Sequence, residues 1–208
     1  MRLKFAIFLL ASLSILTNCT NSLDQTVNDH EIGDNSTMVD ESYAVYSAFL
    51  KTIRTGYGNG KKVDLFVILR DTEKYPSTID RTSLDLSEEF PEQVGEAIND
   101  FNSKISTSRR LTKSFDLEKN YVLVNDDDLN FERDGDDSYD FWKTFYEKFP
   151  NSSGIIRLSQ VGFDSKKTNA FLYLDLRCGG TCAEQDFLLL TKMNGEWKLT
   201  KTITLGVS

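Results

Sequence analysis

The chain has one histidine, His30, and it lies in a polar stretch well away from the apolar runs. Ser-His-Asp and Cys-His catalysis need an imidazole beside the nucleophile, so neither chemistry is available to the rest of the chain. Metal sites built on histidine are excluded there for the same reason. Long basic runs are also missing: Arg109-Arg110 and Lys166-Lys167 are typical of what is present, and 24 Lys and Arg face 32 Asp and Glu. Nucleic-acid binding rests on neutralising phosphates with Lys and Arg, which excludes nucleic acid as a partner. No phosphate-cradling loop is present. The glycine-rich "TGYGNGKK" precedes a strand-like run instead of opening a helix, and it reads as a turn. There is no internal repeat, and no apolar run of the roughly 20 residues that a membrane-spanning helix needs.

The longest apolar run, Phe5 to Leu16, follows Arg2 and Lys4. A positive start and a short apolar core are the pattern of a secretory signal. The run ends in Leu16-Thr17-Asn18-Cys19, which resembles the lipobox of bacterial lipoproteins. The resemblance implies removal of residues 1–18, a lipid on Cys19, and a membrane as partner through that lipid, since two or more acyl chains hold a protein far better than one. Thr20 is not the Asp that retains such proteins at the inner membrane, which points to the outer membrane in a host that has one. Loss of residues 1–18 leaves 22 basic against 32 acidic side chains, a charge of −10. Residues 19–41, the lipidated Cys and a polar acidic stretch, read as a flexible tether. Residues 42–208 are of normal size for one domain with its own core.

With lipid on Cys19 and export to an oxidising compartment, Cys178 and Cys182 remain as one pair, read as a disulfide stapling a Gly-Gly-Thr turn. A reducible bond with a redox role is the other reading of the same pair.

Within the domain, Val45, Tyr46, Phe49, Leu50 and Ile53 make one helical stripe. Val94, Ala97, Ile98, Phe101 and Ile105 make a second, opened by Pro91. A third helix, "YDFWKTFYEKF", is capped by Asp137 or Ser138, stopped by Pro150, and buries Phe141, Trp142, Phe145 and Phe149. Val63 to Arg70 and Tyr121 to Asn125 read as strands. Four further strands form a C-terminal meander. In the first, "IIRLSQVGF", the apolar phase slips from even to odd, which predicts a β-bulge near Ser159-Gln160. Asn194-Gly195 is a strong hairpin signal and pairs Met193 with Glu196, Lys192 with Trp197, and Leu190 with Leu199. With Cys178 opposite Cys182, Leu172 faces Leu188 and Ala170 faces Leu190. These registers agree on a core face of Ala170, Leu172, Leu174, Leu188, Leu190, Trp197, Leu199 and Ile203. The opposite face holds Phe171, Tyr173, Asp175, Phe187, Leu189 and a row of threonines. It is the candidate binding face, unless a helix caps it.

The pattern predicts an α+β domain, three helices packed on a curved, mainly antiparallel sheet. Its architecture resembles the cystatin-like half-barrels of the nuclear-transport-factor and ketosteroid-isomerase type. The segment from Trp142 to Trp197, with its Trp-containing helix ending in Phe-Pro, "LSQVGF", a Gly-rich turn and "KMNGEW", resembles the C-terminal half of exported bacterial proteins of unassigned function. That resemblance implies a fold and carries no catalytic residues.

Other chemistries are weaker. The acidic run from Asn125 to Asp140 fails as an EF-hand loop: a start at Asp126 puts Phe131 where Gly is needed, and a start at Asn130 puts Phe141 where a carboxylate is needed. No metal and no cofactor is expected. Asp175, between Tyr173 and Arg177, is the carboxylate of first interest. The leading expectation is a non-enzymatic envelope lipoprotein with a ligand- or protein-binding domain. The alternatives are a carboxylate-based hydrolase of a cell-envelope glycan and a structural or surface-interaction protein.

Overall fold

A computed structural model describes residues 36–53, 62–75, 92–130 and 138–207. Among them, three helices pack on one mixed sheet of seven strands, an α+β arrangement with a C-terminal meander. The elements are α1 (Ser36–Leu50), β1 (Leu65–Leu69), α2 (Glu92–Lys104), β2 (Asn120–Val124), α3 (Ser138–Lys148), β3 (Ser152–Leu158), β4 (Gly162–Phe163), β5 (Asn169–Gly179), β6 (Cys182–Met193) and β7 (Glu196–Val207). No helix of the described residues is long and apolar enough to cross a membrane.

The sheet runs β2-β1-β3-β5-β6-β7, with β4 beside β5. The meander follows the sequence reading closely. Met193 pairs with Glu196, Lys192 with Trp197 and Leu190 with Leu199, around a turn in which Asn194 and Gly195 both have positive φ (54° and 86°). That backbone is what a two-residue hairpin requires, and Asn-Gly adopts it at little cost. Leu172 faces Leu188 and Ala170 faces Leu190. The phase slip is a bulge: Leu158 pairs with Leu174, but Gly162 pairs with Phe171, one residue out of step.

Two features depart from expectation. β1 runs parallel to both β2 and β3, so half of the sheet is a parallel trio. Parallel partners need long crossovers, and α3 lies on the one from β2 to β3. Ile203 is not on the core face: the register shifts between Leu189↔Lys201 and Leu190↔Leu199, so Thr200 is an extra residue on β7. The residues from Lys201 to Thr204 change face, and Ile203 packs on the opposite side.

One sheet face is covered by α1, whose Tyr43, Val45, Tyr46, Phe49 and Leu50 join Phe66, Ile68, Ile156, Leu172 and Leu188 in the largest core cluster. α1 begins at Ser36, inside the stretch expected to be tether. Glu41 is fastened there, accepting from Lys192 Nζ and Trp197 Nε1 at 2.6 Å each. The other face carries two separate clusters. α2 sits over β5 and β6, and α3 sits over β1 and β3. Contact between α2 and the sheet is close because Gly162 lacks a side chain: a Cβ there would lie 2.2 Å from the Ala97 carbonyl oxygen and 2.3 Å from the Phe101 nitrogen. Beside α3 the same face carries Arg157, Asp175, Arg177 and Gln185, and this polar patch is the candidate site.

Candidate functional site

Strand alternation sets the floor of the site. In β3, Ile156 and Leu158 turn to the α1 side, which sends Arg157 to the other face. Arg157 pairs with Asp175 across to β5, and Asp175 pairs with Gln185 across to β6. Asp175 is 3% exposed. A carboxylate so buried needs cationic partners, and it has two. Arg177 Nε lies 3.1 and 3.3 Å from its two oxygens, and Arg157 Nη1 lies 3.6 Å away. Arg157 also reaches Asp126 Oδ1 through Nη2 (3.5 Å) and Glu73 Oε2 through Nε (3.8 Å). One guanidinium therefore gathers three carboxylates from three parts of the chain.

Topology explains why these groups meet. Glu73 follows β1, held to the end of β3 by its amide bond to the Leu158 carbonyl. Asp126 opens a 3-10 turn directly after β2. Strand order 2-1-3 makes the carboxyl ends of β1 and β3 a switch point, the place where open sheets with parallel strands gather ligand groups.

Electrostatics in the cluster is uneven. Partial burial raises the Glu73 pKa above the ordinary value, with Arg157 opposing and Asp175 and Asp126 adding to the rise. Burial likewise raises the Tyr173 hydroxyl, reinforced by the charges of Asp175 and Glu73. Two guanidinium groups against three carboxylates leave the cluster close to neutral, slightly acidic.

Alongside the cluster lies an open cleft of about 680 Å³, within the range of small-molecule sites. Its floor includes Ile155, Arg157, Arg177 and Gln185, and α3 supplies Phe141 and Trp142 to its wall. Arg177 is held to Asp175 through Nε alone, and half of its side chain is exposed. Its two Nη groups have no partner among the described residues, and neither has the Gln185 amide. The far end is closed by the hairpin of Gly179 and Gly180, next to the Cys178–Cys182 disulfide (Cα–Cα 5.0 Å). Tyr146 of α3 ties this hairpin down by donating to the Cys178 carbonyl at 2.8 Å.

The expected binding face is divided by this arrangement. Phe171 (0% exposed), Tyr173 (5%) and Phe187 (1%) are core residues beneath α2, with Phe101 edge-on to Phe171 and Phe187. Burying Val94, Ile98, Phe101 and Ile105 on them is worth roughly 1.5–3 kcal/mol each. Lifting α2 would thus cost on the order of 8 kcal/mol, comparable to the whole stability of an ordinary domain. Among the described residues those three aromatics are covered by α2 and do not form the expected open binding face. Asp175 belongs instead to the polar floor next door.

Of the acidic loop, Asp128 Oδ2 accepts from the Asn125 amide and side chain at 2.8 Å each, and these bonds lower its pKa. Among the described residues no group of three His, Cys, Asp or Glu side chains is placed to hold a metal ion. Residues 131–137 of that loop, the "TGYGNGKK" turn apart from Lys62, and Cys19 lie outside the described residues. Arg157, Gln185, Glu73 and the Trp142 wall were missed by sequence reasoning. The one local signal was Arg157 itself, a charge inside the apolar run "IIRLS". Comparison with protein-family models, curated proteins and solved structures finds no match to this chain.

Proposed function

We propose that this chain is an exported lipoprotein, anchored through lipid on Cys19, whose α+β domain binds a small polar ligand in the cleft between α3 and the Gly179-Gly180 hairpin without transforming it. The lipobox pattern supports the anchor. The observation that carries the binding reading is the unmet hydrogen-bonding capacity of Arg177 and Gln185 at the floor of a formed cleft with an aromatic wall. Sites of this kind combine apolar lining with a few placed polar groups that orient the occupant. Such a protein would hold its ligand at the envelope surface, with no cofactor and no nucleic-acid partner.

Ligand-observed NMR on the full chain in detergent, against a chemically mixed small-molecule library, tests the reading. Hits that disappear with Arg177→Gln support it. A library without hits, or hits indifferent to Arg177→Gln and Trp142→Ala, refutes it. Fatty-acid labelling in cells tests the anchor: label lost in Cys19→Ser supports it, and equal labelling of both forms sinks it.

One observation favours a hydrolase as the second reading. Glu73 has a raised pKa beside the ion-paired Asp175, and carboxylates in unequal environments are how acid and base roles are divided. Against it, Glu73, Asp126 and Asp175 all lean on Arg157. Turnover of an envelope glycan abolished by Glu73→Gln would establish hydrolysis in place of binding alone.

A further inference from the structure

We infer that the occupant of the cleft is a neutral saccharide. This rests on the binding reading above and names its ligand class. Three features select it. First, the wall carries the rings of Trp142 and Phe141, set edge-on to each other at 89°, and half-buried indole is suited to a partner with one apolar and one wet side. A pyranose ring has that character, with C–H groups on its faces and hydroxyls around its edge.

Second, the polar groups are of mixed donor and acceptor type. Arg177 brings guanidinium donors, Gln185 brings both a carbonyl and an NH2 group, and Asp126, largely exposed, brings carboxylate oxygens. Vicinal hydroxyls, each donor and acceptor at once, can satisfy such a set. A ligand that only accepts would have nothing to offer the Asp126 oxygen that Arg157 does not reach.

Third, the charge balance turns ions away. A carboxylate or phosphate ligand would gain the Arg177 fork. It would also sit against Asp126, which lines the cleft, with Glu73 and Asp175 in the ion-pair cluster alongside and Asp127 and Asp128 next in sequence, on a chain whose overall charge is −8. A cation would gain the aromatic wall but meet the half-exposed Arg177 guanidinium. Neutral hydroxyl groups meet neither penalty. The cleft is open along one side, which suits a residue within a longer glycan as well as a free sugar.

Calorimetry and Trp fluorescence with the full chain in detergent test this, using tri-N-acetylchitotriose and cellotriose as neutral probes, trigalacturonate as the anionic probe and chitosan trimer as the cationic one. The expected result is saturable binding of a neutral trisaccharide, quenching or shifting Trp emission. Arg177→Gln should weaken that binding at least tenfold. Trp142→Leu should do the same, with circular dichroism spectra unchanged. If Trp142→Leu fails to fold, Arg177→Gln and Gln185→Ala carry the test. Binding of the charged probes alone, lost in Arg177→Gln, overturns the saccharide assignment and leaves the cleft reading standing. Saccharide binding untouched by all three variants overturns both. Absence of binding by every probe overturns the saccharide assignment, and the library screen then judges the cleft by itself.

Discussion

Asp186 offers the sharpest test of how this sheet handles charge. It lies on β6 between Leu174 of β5 and Thr204 of β7, turned toward the α1 side, and is 2% exposed. Its Oδ1 and the Oε2 of Glu184, two residues along the same strand, are buried without a hydrogen-bond partner. Burial pushes the Asp186 pKa up to about 6. The hydroxyl of Thr204 opposes the rise and the neighbouring Glu184 adds to it. The folded carboxyl therefore holds its proton more tightly than the unfolded one, whose value is 3.8. Stability contributed by that proton is full below about pH 4 and is lost as pH rises toward about 6, levelling off beyond. A difference of roughly 2 pKa units at 1.36 kcal/mol each sets a ceiling of about 3 kcal/mol. Asp186→Asn replaces the acid with a neutral group of the same shape and removes most of the slope. Urea unfolding from pH 4 to 8, at fixed ionic strength, reads the difference between variant and parent. Taking that difference cancels the opposite slopes of Asp128, Glu96 and Asp164, whose pKa values are lowered. The variant should gain on the parent by about 1–3 kcal/mol between pH 4 and pH 7. A pH-independent difference, or a parent that gains on the variant as pH rises, would refute the account of a buried carboxyl that keeps its proton.

Three further outcomes follow from the same packing. Gly162→Ala should lower stability by about 3 kcal/mol, because the new Cβ meets the α2 backbone, which cannot yield as a side chain can. A lowered urea midpoint, with faster amide exchange confined to α2, checks it. Asp175→Asn should destabilise by about 3 kcal/mol, the lower end of the range for breaking a buried ion pair, since Arg177 retains solvent on one side. Thermal melts of the variant and of an Arg177→Gln, Asp175→Asn double variant read the coupling, and strict additivity would count against the pair. Cys178→Ser should lower the melting temperature by an amount worth about 2 kcal/mol, small because the closed loop is short, while the circular dichroism spectrum keeps its shape.

What the sequence determined by itself is local. Periodicity placed the three helices, although α1 starts at Ser36 because Glu41 finds Lys192 and Trp197 far along the chain. Asn194-Gly195 set the last hairpin and its register, because only a few residues tolerate positive φ at both turn positions. The slip of apolar phase marked the bulge after Leu158, since a change of face must show wherever both faces are buried. No such signal marks the second bulge. Trp197, Leu199, Ile203 and Leu205 keep one parity across Thr200, so Ile203 was placed on the wrong face, and only pairing with β6 reveals the extra residue. Tertiary structure alone decided the rest. Whether the Phe171, Tyr173 and Phe187 face stays open depends on where α2 comes to lie, and that depends on a glycine some sixty residues later in the chain. The polar floor is further out of reach of local pattern. Glu73, Asp126, Arg157 and Asp175 meet because a parallel trio brings the ends of β1, β2 and β3 together, and parallel pairing leaves no turn in the sequence to announce it.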